Sequence, residues 1–575
     1  MKKHPKYAFV FWNIKKLVML VLLLFFHFSY GQIFNSDIII YGATSSGIAA
    51  AIESSRLGRK VILIEPSNRI GGLTTGGLGQ TDIGNKQVIG GIALEFYQNI
   101  KKYYENPNNW IWQKKIEYED SGQTRSSVTE NAMWTFEPSA ALKVFNEMIS
   151  KEKVKLFKNE RLNRKKGVIK SEGKIKQIAM ESGKIFEGSI FIDATYEGDL
   201  MATSGVSYTV GRESNSKYGE SLNGNQPFKT GQTLNNILSK NSAHHNFING
   251  VDPYIIPGDP KSGLLPYINE GGPGNQGEGD KAIQAYCFRM TLTNHPKNKI
   301  PFKKPANYDE LNYELLFRNY EAAKGSIEEM YSYGDPLVPW INSPMPNRKT
   351  DTNNQKGFST DFIGQNWDYP EANYQERQKI IDLHREYQQG LMWTLAFHPR
   401  IPKKVRKKVS EWGTCKDEYE GGMDGWQSQL YIRESRRMLG GYVMTQKNCE
   451  RIEVVNDPIG MAAYGMDSHN VRRYVNNLGF VENEGNIEAR VKKPYPISLR
   501  SVIPKRNECN NLIVPVCLSA SHIAFGSIRM EPVFMVLGQS SAIIANYAVE
   551  KNISLQDINY YDLKSHLIKR GQILY

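Results

Sequence analysis

The stretch DIIIYGATSSGIAAAIESSRLGRKVILIEP, Asp37 to Pro66, constrains this chain more than any other. Ile38, Ile39 and Ile40 form a continuous apolar run, the pattern of a parallel strand covered on both faces. Gly42 ends the run, and a helical pattern begins near Ser45 and stops at Gly58. KVILIEP is a second buried strand that ends at Glu65, 23 residues after Gly42. The spacing predicts a β-turn-α-β unit whose turn holds a dinucleotide. Gly42 permits the tight turn, the helix amino terminus at Thr44 and Ser45 faces a pyrophosphate, and Gly47 lets helix and strand approach. Glu65 can accept from both hydroxyls of an adenosine ribose. Thr44 stands where G-x-G-x-x-G has its middle glycine, so an ordinary βαβ unit with a glycine turn is the plainer alternative.

The residues just after Glu65 separate FAD from NAD. RIGGLTT, Arg69 to Thr75, resembles the R-x-G-G-R-x-x-[ST] segment of the flavoprotein superfamily that includes glutathione reductase and fumarate reductase. In that superfamily the segment wraps the far side of the adenosine diphosphate. Leu73 replaces the second arginine, which leaves Arg69 as the cationic contact. Glycines at 71, 72, 76, 77 and 79 suggest backbone passing close to a flat ligand. Downstream, a hairpin pattern leads into a buried strand and DATYEGDL, Asp193 to Leu200, which resembles the segment that returns to the FAD. Asp193, Ala194, Thr195 and Glu197 would stand where strand meets cofactor.

With FEPSAALKVFNEM, YIRESRRMLGGYVMT and PVCLSASHIAFGSIRMEPVFMVLGQSSA, these stretches make the chain similar to the secreted FAD-dependent oxidoreductases of polysaccharide-degrading bacteria, some of them labelled xanthan lyase-like. The resemblance runs from Gly42 to about Ala542. It implies an α/β fold: a Rossmann-like, glutathione-reductase-type FAD-binding domain that is discontinuous, with an inserted α+β substrate or cap domain. Its parts would be residues 36–215 and 495–550, with the cap at 216–494 and a carboxyl-terminal extension at 551–575. Ser139 stands where a histidine is common in this family, so specificity has shifted if that position touches substrate.

The first 31 residues read as a secretory leader: a lysine-rich flank, then the 12-residue apolar run Leu17 to Phe28, then small residues before Gln32. The run is short of the roughly 20 residues that span a bilayer. The implied location is periplasmic or secreted, with no stable membrane insertion after cleavage; an uncleaved anchor is the alternative. The formal charge is +13, but five lysines lie in the leader, so the rest carries 72 − 5 = 67 basic and 59 acidic residues, about +8. Basic runs without interleaved aromatics argue for solvated faces and against nucleic acid. Five scattered cysteines without a CxxC pair give no metal site, though one opportunistic bridge is conceivable after export. His244–His245 reads as a solvated pair in a polar loop.

The catalytic candidates lie toward the carboxyl end. A helix, VFMVLGQSSAIIANYA, is expected to point its amino terminus at the flavin, with His522 just before it as base and Arg529 against a flavin oxygen or an acidic substrate. A structural histidine, and a salt bridge from Arg529 to Glu531 or a neighbour, are the alternatives. His469, two residues after Asp467, is the second base. In YIRESRRML, Arg433 and Arg437 are placed on one helix face with Arg436 beside them, either as a carboxylate clamp or as an ion-paired helix. Three functions compete: an oxidoreductase taking hydride from a carbohydrate or related alcohol, with an unknown electron acceptor; a glycan lyase or hydrolase using FAD by transient oxidation; and a glycan-binding protein that keeps flavin structurally. Residues 71–91 hold no His or Cys to anchor a flavin, so FAD is expected to be non-covalent. Heat-denatured protein should release yellow FAD into the supernatant; colour that stays with the polypeptide contradicts this.

Overall fold

β1 (Ile33–Tyr41), α1 (Ser45–Arg56) and β2 (Val61–Glu65) form a parallel βαβ unit, with Ile38–Tyr41 registered on Val61–Ile64. The structure is a computed structural model and describes residues 32–80, 82–122, 125–127, 129–227, 245–248, 250–323, 340–419 and 424–575. The leader and His244 lie outside the described residues. Beyond β2 the sheet continues into β3 (Val154–Lys158), and on the other side of β1 into β6 (Ile185–Asp193), all parallel. β4 (Val168–Ser171) and β5 (Lys174–Ala179) form a hairpin, and β5 pairs antiparallel with the first residues of β6. Further along the same edge, β6 takes β14 (Leu512–Ile513) in parallel. The order is β3-β2-β1-β6-β5-β4 with β14 beside β6, seven strands in all. A strand from near the carboxyl end completes a sheet begun near the amino end, which makes the nucleotide unit discontinuous.

Two of the helices over this sheet, α1 and a helix near the carboxyl end, meet at backbone range. α2 (Gly72–Thr75), α3 (Gly91–Glu105) and α4 (Pro138–Ser150) follow β2, and α7 (Glu531–Lys551) packs along α1. A Cβ on Gly538 would stand 2.2 Å from the carbonyl oxygen of Ser46, so the two helices touch backbone to backbone. α7 is apolar enough by composition to cross a membrane, but 94% of that window is buried inside the protein, and it is a core helix.

The inserted part is α+β. Its sheet is antiparallel, in the order β9 (Trp340–Met345), β10 (Lys349–Asn354), β7 (Met290–Thr293), β11 (Gly413–Cys415), β8 (Lys299–Ile300). α5 (Tyr374–Phe397) is clamped to the approach of β7 by Gln388, whose amide bonds both the N–H and the carbonyl of Phe288 at 2.8 Å.

Four expectations change. The nucleotide unit begins before residue 36, because Ile33 already pairs with Ile185. The tail belongs to it too: α8 (Tyr560–Lys569) buries Leu563 and Leu567, and Arg570 pairs with Glu53 of α1. YIRESRRML is extended rather than helical, with Arg437–Met438 in a short strand. Its arginines are buried against acids on different sides: Arg433 on Asp361, Arg436 on Asp199, Arg437 on Glu213. One helix face cannot serve partners that diverge in this way. His245 is buried beside Glu488 rather than solvated, and the five cysteines are free and buried without a bridge.

Gly538→Ala tests the helix contact. Alanine is the better helix former by about 1 kcal/mol. A methyl group driven into the Ser46 carbonyl costs about 1–3 kcal/mol and should win, lowering Tm. A higher Tm would mean that α1 and α7 part freely.

Candidate functional site

Three loops meet at the amino end of α1. Gly42 has φ +97°, and a Cβ there would lie 2.8–2.9 Å from Thr195 and Ala194. A Cβ on Gly47 would lie 1.8 Å from the Gly42 oxygen and 3.3 Å from the Ala194 Cβ, so Gly47 does allow helix and strand to approach. Thr44 caps α1: its hydroxyl accepts from the Gly47 amide at 3.3 Å and donates to the Ala194 carbonyl at 2.8 Å. Gly71, at φ +95°, donates its N–H to the Ala43 carbonyl at 2.7 Å. The segments around Gly42, Arg69 and Asp193 therefore form one crevice.

Its donors fit a diphosphate. Ser45 and Ser46 occupy the first turn of α1, where no intrahelical acceptor exists for an amide. The Arg69 Nη2 is buried without a hydrogen-bond partner; the Ser46 hydroxyl, also without one, faces Gly538 of α7 instead. Arg69 Nε donates to the Thr75 carbonyl at 3.0 Å, and its guanidinium lies 5.2 Å over the Tyr419 ring. Arg69 also borders a cavity of about 680 Å³ shared with Ser139, whose amide and hydroxyl both donate to Glu418, at 2.9 and 2.7 Å.

Glu65 is already occupied. Its carboxylate accepts from the Ala43 amide at 2.8 Å, the Ser67 amide at 2.9 Å and the Ser67 hydroxyl at 2.7 Å. A carboxylate has about four acceptor directions, so one remains, half of what two ribose hydroxyls need. Burial pushes this carboxyl up from its ordinary range, against those three bonds. Asp193 accepts from Thr195 and the Met201 amide, which braces its own turn; burial pushes it to about 6. Glu197 accepts from Tyr369 at 3.1 Å and faces the inserted part. The glycines at 72, 76, 77 and 79 are crowded by protein, by Tyr196, Gln429, the Arg289 carbonyl, and Met345 with the Phe136 carbonyl. Protein packing is enough to require each of them.

A second cluster forms where the glycine loop, the approach to α7 and the inserted part converge. Arg529 donates to Asp467 at 2.9 Å and to the Tyr431 hydroxyl at 3.1 Å. His469 Nδ1 lies 2.7 Å from Asp361, which also binds Arg433 at 2.9 Å. The other nitrogen, Nε2, stands 3.6 Å from Asp467, beyond hydrogen-bond range. The His469 side chain is 14% exposed. Burial pushes Asp361 and Asp467 up, but Arg433 and His469 outweigh it at Asp361, and His469 with Arg529 at Asp467, so both stay below the ordinary carboxylate range. Asp82, on the glycine loop, is raised to about 6 by burial, opposed by Arg289. Arg289 is itself paired with Asp351. Beside His469 the Gln284 Nε2 and Asn470 Oδ1 are buried with no partner; at Gly77, both side-chain polar atoms of Gln427 are too.

His522 opens a separate helix, α6 (His522–Ile528), rather than preceding α7 directly. Its Nδ1 lies 2.8 Å from Glu434 and its Nε2 3.1 Å from the Ser468 hydroxyl, at the end of β12 (Met466–Ser468). The connectivity is that of a Ser–His–acid triad, but serine, histidine and glutamate are each 1% exposed or less. Both imidazole nitrogens have protein partners. Of the two expected histidines, His469 is partly exposed and His522 is sealed.

Sequence reasoning missed Asp361 and Glu434, and named Glu531 only as a partner for Arg529, which pairs with Asp467 instead. Asp361 and Glu434 are far in sequence from the histidines they hold, and no local pattern marks them. Glu531 had a signal, an acid at the first turn of the apolar helix beside Arg529.

A family model described as FAD dependent oxidoreductase matches residues 37–567. No curated protein matches the chain. Solved structures with partial likeness include 3-ketosteroid-delta4-(5alpha)-dehydrogenase from Rhodococcus jostii, at 14% identity over 31% of this chain and 50% of that one, TM-score 0.20. Sdh1 from Mycobacterium smegmatis in complex with UQ1 gives 14%, 32%, 42% and 0.22, and anhydrotetracycline hydroxylase from Streptomyces rimosus 10%, 32%, 36% and 0.22, in the same order. The likeness spans half or less of each of these proteins.

Glu65→Ala should weaken FAD binding by about 1.5–3 kcal/mol, one charge-assisted hydrogen bond. Flavin occupancy on serial dilution measures it; unchanged occupancy removes Glu65 from the ribose site.

Proposed function

The chain belongs to the FAD dependent oxidoreductase family, and on that premise we propose that it takes hydride from an uncharged carbohydrate or related alcohol, with His469 as base. When bound, FAD supplies the hydride acceptor. The crevice residues that would hold it are the first turn of α1, Arg69 and Glu65.

The His469–Asp361 pair carries the reading. Asp361 accepts from Nδ1–H and so fixes the tautomer that leaves Nε2 free for a substrate hydroxyl. Nε2 would take the substrate's hydroxyl proton as the carbon gives up its hydride, leaving a carbonyl. The imidazolium so made lies between Asp361 and Asp467, both ionised, which stabilises it. The arginines argue for an uncharged substrate. Arg289, Arg433 and Arg529 are each paired with an aspartate, so the charge of each is already balanced within the protein. The leader-like segment supports export, in which case FAD would be acquired outside the cytoplasm.

Stopped-flow flavin bleaching, with a substrate found by screening neutral sugars, polyols and uronic acids, tests the reading. His469→Ala should slow bleaching by about 10²–10⁴-fold with FAD still bound. His522→Ala should instead destabilise the fold, by about 3–5 kcal/mol, because buried Glu434 loses its partner. Bleaching by His469→Ala within a few-fold of wild type, or a preference for uronic acids, counts against the proposal.

A further inference from the structure

At the centre of the FAD crevice lies a carboxylate without a cation. Glu531 is the first residue of α7 and is 2% exposed. Its Oε2 accepts from the Ser45 hydroxyl at 2.5 Å and the Thr74 hydroxyl at 2.8 Å, and its Oε1 from the Tyr196 hydroxyl at 2.7 Å. These donors come one from each loop of the crevice: the first turn of α1, α2, and the return of β6. Among the described residues no lysine, arginine or histidine pairs with Glu531. Arg529, two residues before it, is taken by Asp467. The titratable groups facing it are two tyrosines, Tyr196 on the β6 return and Tyr97 on α3; the acid of α1, Glu53, is paired with Arg570.

We propose that Glu531 is a cofactor-positioning residue: its carboxyl group joins the three loops that hold the FAD diphosphate, and it takes up a proton as FAD binds. The inference rests on reading the crevice as the FAD site. Ser45 belongs to the turn whose free amides face a diphosphate, so a bound diphosphate brings negative charge close to a buried carboxylate. Burial alone already pushes this carboxyl up, against its three hydroxyl donors. The amino end of α7 favours the ionised form. That field is the same with and without FAD, however, and drops out of the difference. Repulsion by the diphosphate remains, and protonation relieves it.

Glu531 thus binds its proton more tightly with FAD bound than without. FAD affinity is therefore full at low pH and is lost as pH rises past the titration of the empty protein, by up to about tenfold per pH unit for one proton. Glu65 works in the opposite direction, since it accepts from the ribose when ionised and would weaken binding at low pH.

The experiment is FAD binding to the full chain, followed by flavin fluorescence from about pH 6 to about pH 9. Calorimetry in buffers of different protonation enthalpy gives the protons taken up. Wild type should show Kd rising with pH and uptake of up to about one proton. Glu531→Gln, isosteric with the protonated acid, should bind with a flat profile near the low-pH affinity of wild type. Tyr196→Phe removes one donor from the carboxylate, so the loss of affinity should begin at higher pH than in wild type. Equal slopes in wild type and Glu531→Gln, zero proton uptake, or an unmoved profile in Tyr196→Phe overturns the proposal while leaving the FAD site intact. Absence of FAD binding by wild type at every pH overturns the site itself and this proposal with it.

Discussion

The structure depends on how closely the backbone can approach at the first turn of α1. Gly42, Gly47 and Ala194 leave room for no extra carbon, and Thr44 closes the contact by accepting from Gly47 and donating to the carbonyl of Ala194. This one contact fixes β6 against α1, and the edge of β6 in turn receives β14 from the far end of the chain. α7 is then laid along α1 at backbone range through Gly538. Residues hundreds of positions apart are brought to one crevice because small side chains let main chain touch main chain. A larger residue at any of these points would separate the helix from the strand and open the crevice.

The inserted part is attached by different physics. Asp199, after β6, holds Arg377 of α5 at 2.6 Å and Arg436 at 2.8 Å. Lys349 of β10 is fully buried among Glu137, Asp417 and Glu418, at 2.7–2.9 Å. Burial pushes Asp199 up, but the arginines outweigh it and keep it ionised. Such pairs add little net stability, because desolvation offsets most of their attraction. Breaking one leaves an unpaired buried charge, at a cost of about 3–5 kcal/mol. A junction of this kind tolerates only one arrangement of its two parts, which is what a site built from both of them needs.

These two modes of assembly explain what could be read from the sequence. The βαβ unit is local: its apolar run, its glycine turn and the acid at Glu65 lie within one stretch, and each appears in the fold where the periodicity places it. The discontinuity and the inserted α+β part were legible through the resemblance, since the flavin signatures recur at both ends of the chain. The arginines of YIRESRRML were misplaced on a helix because their spacing fits one, while their partners, Asp361, Asp199 and Glu213, are distant in sequence. The buried ion pair, not helix propensity, decides the backbone there. The different burial of the two histidines was hidden for the same reason. His522 and His469 look alike until Glu434 and Ser468 close around one of them.

In the proposed reaction the electrons and the proton leave the substrate toward different parts of the molecule. The hydride goes to the nucleotide crevice, while the proton goes to His469, which the inserted part holds through Asp361. Arg529 links the two. It lies at the approach to α7, whose first residue touches all three loops of the crevice, and it binds Asp467, two residues before the base. Arg529 lies in the short link between α6 and α7, and its 2.9 Å contact with Asp467 ties the start of α7 to the segment that carries His469. The same contact leaves Asp467 too far from His469 Nε2 to occupy it, yet near enough to stabilise the imidazolium. Arg529 is thus best understood as fixing the geometry of the site rather than as a spare charge for an anionic substrate, and its pairing is what keeps the base open.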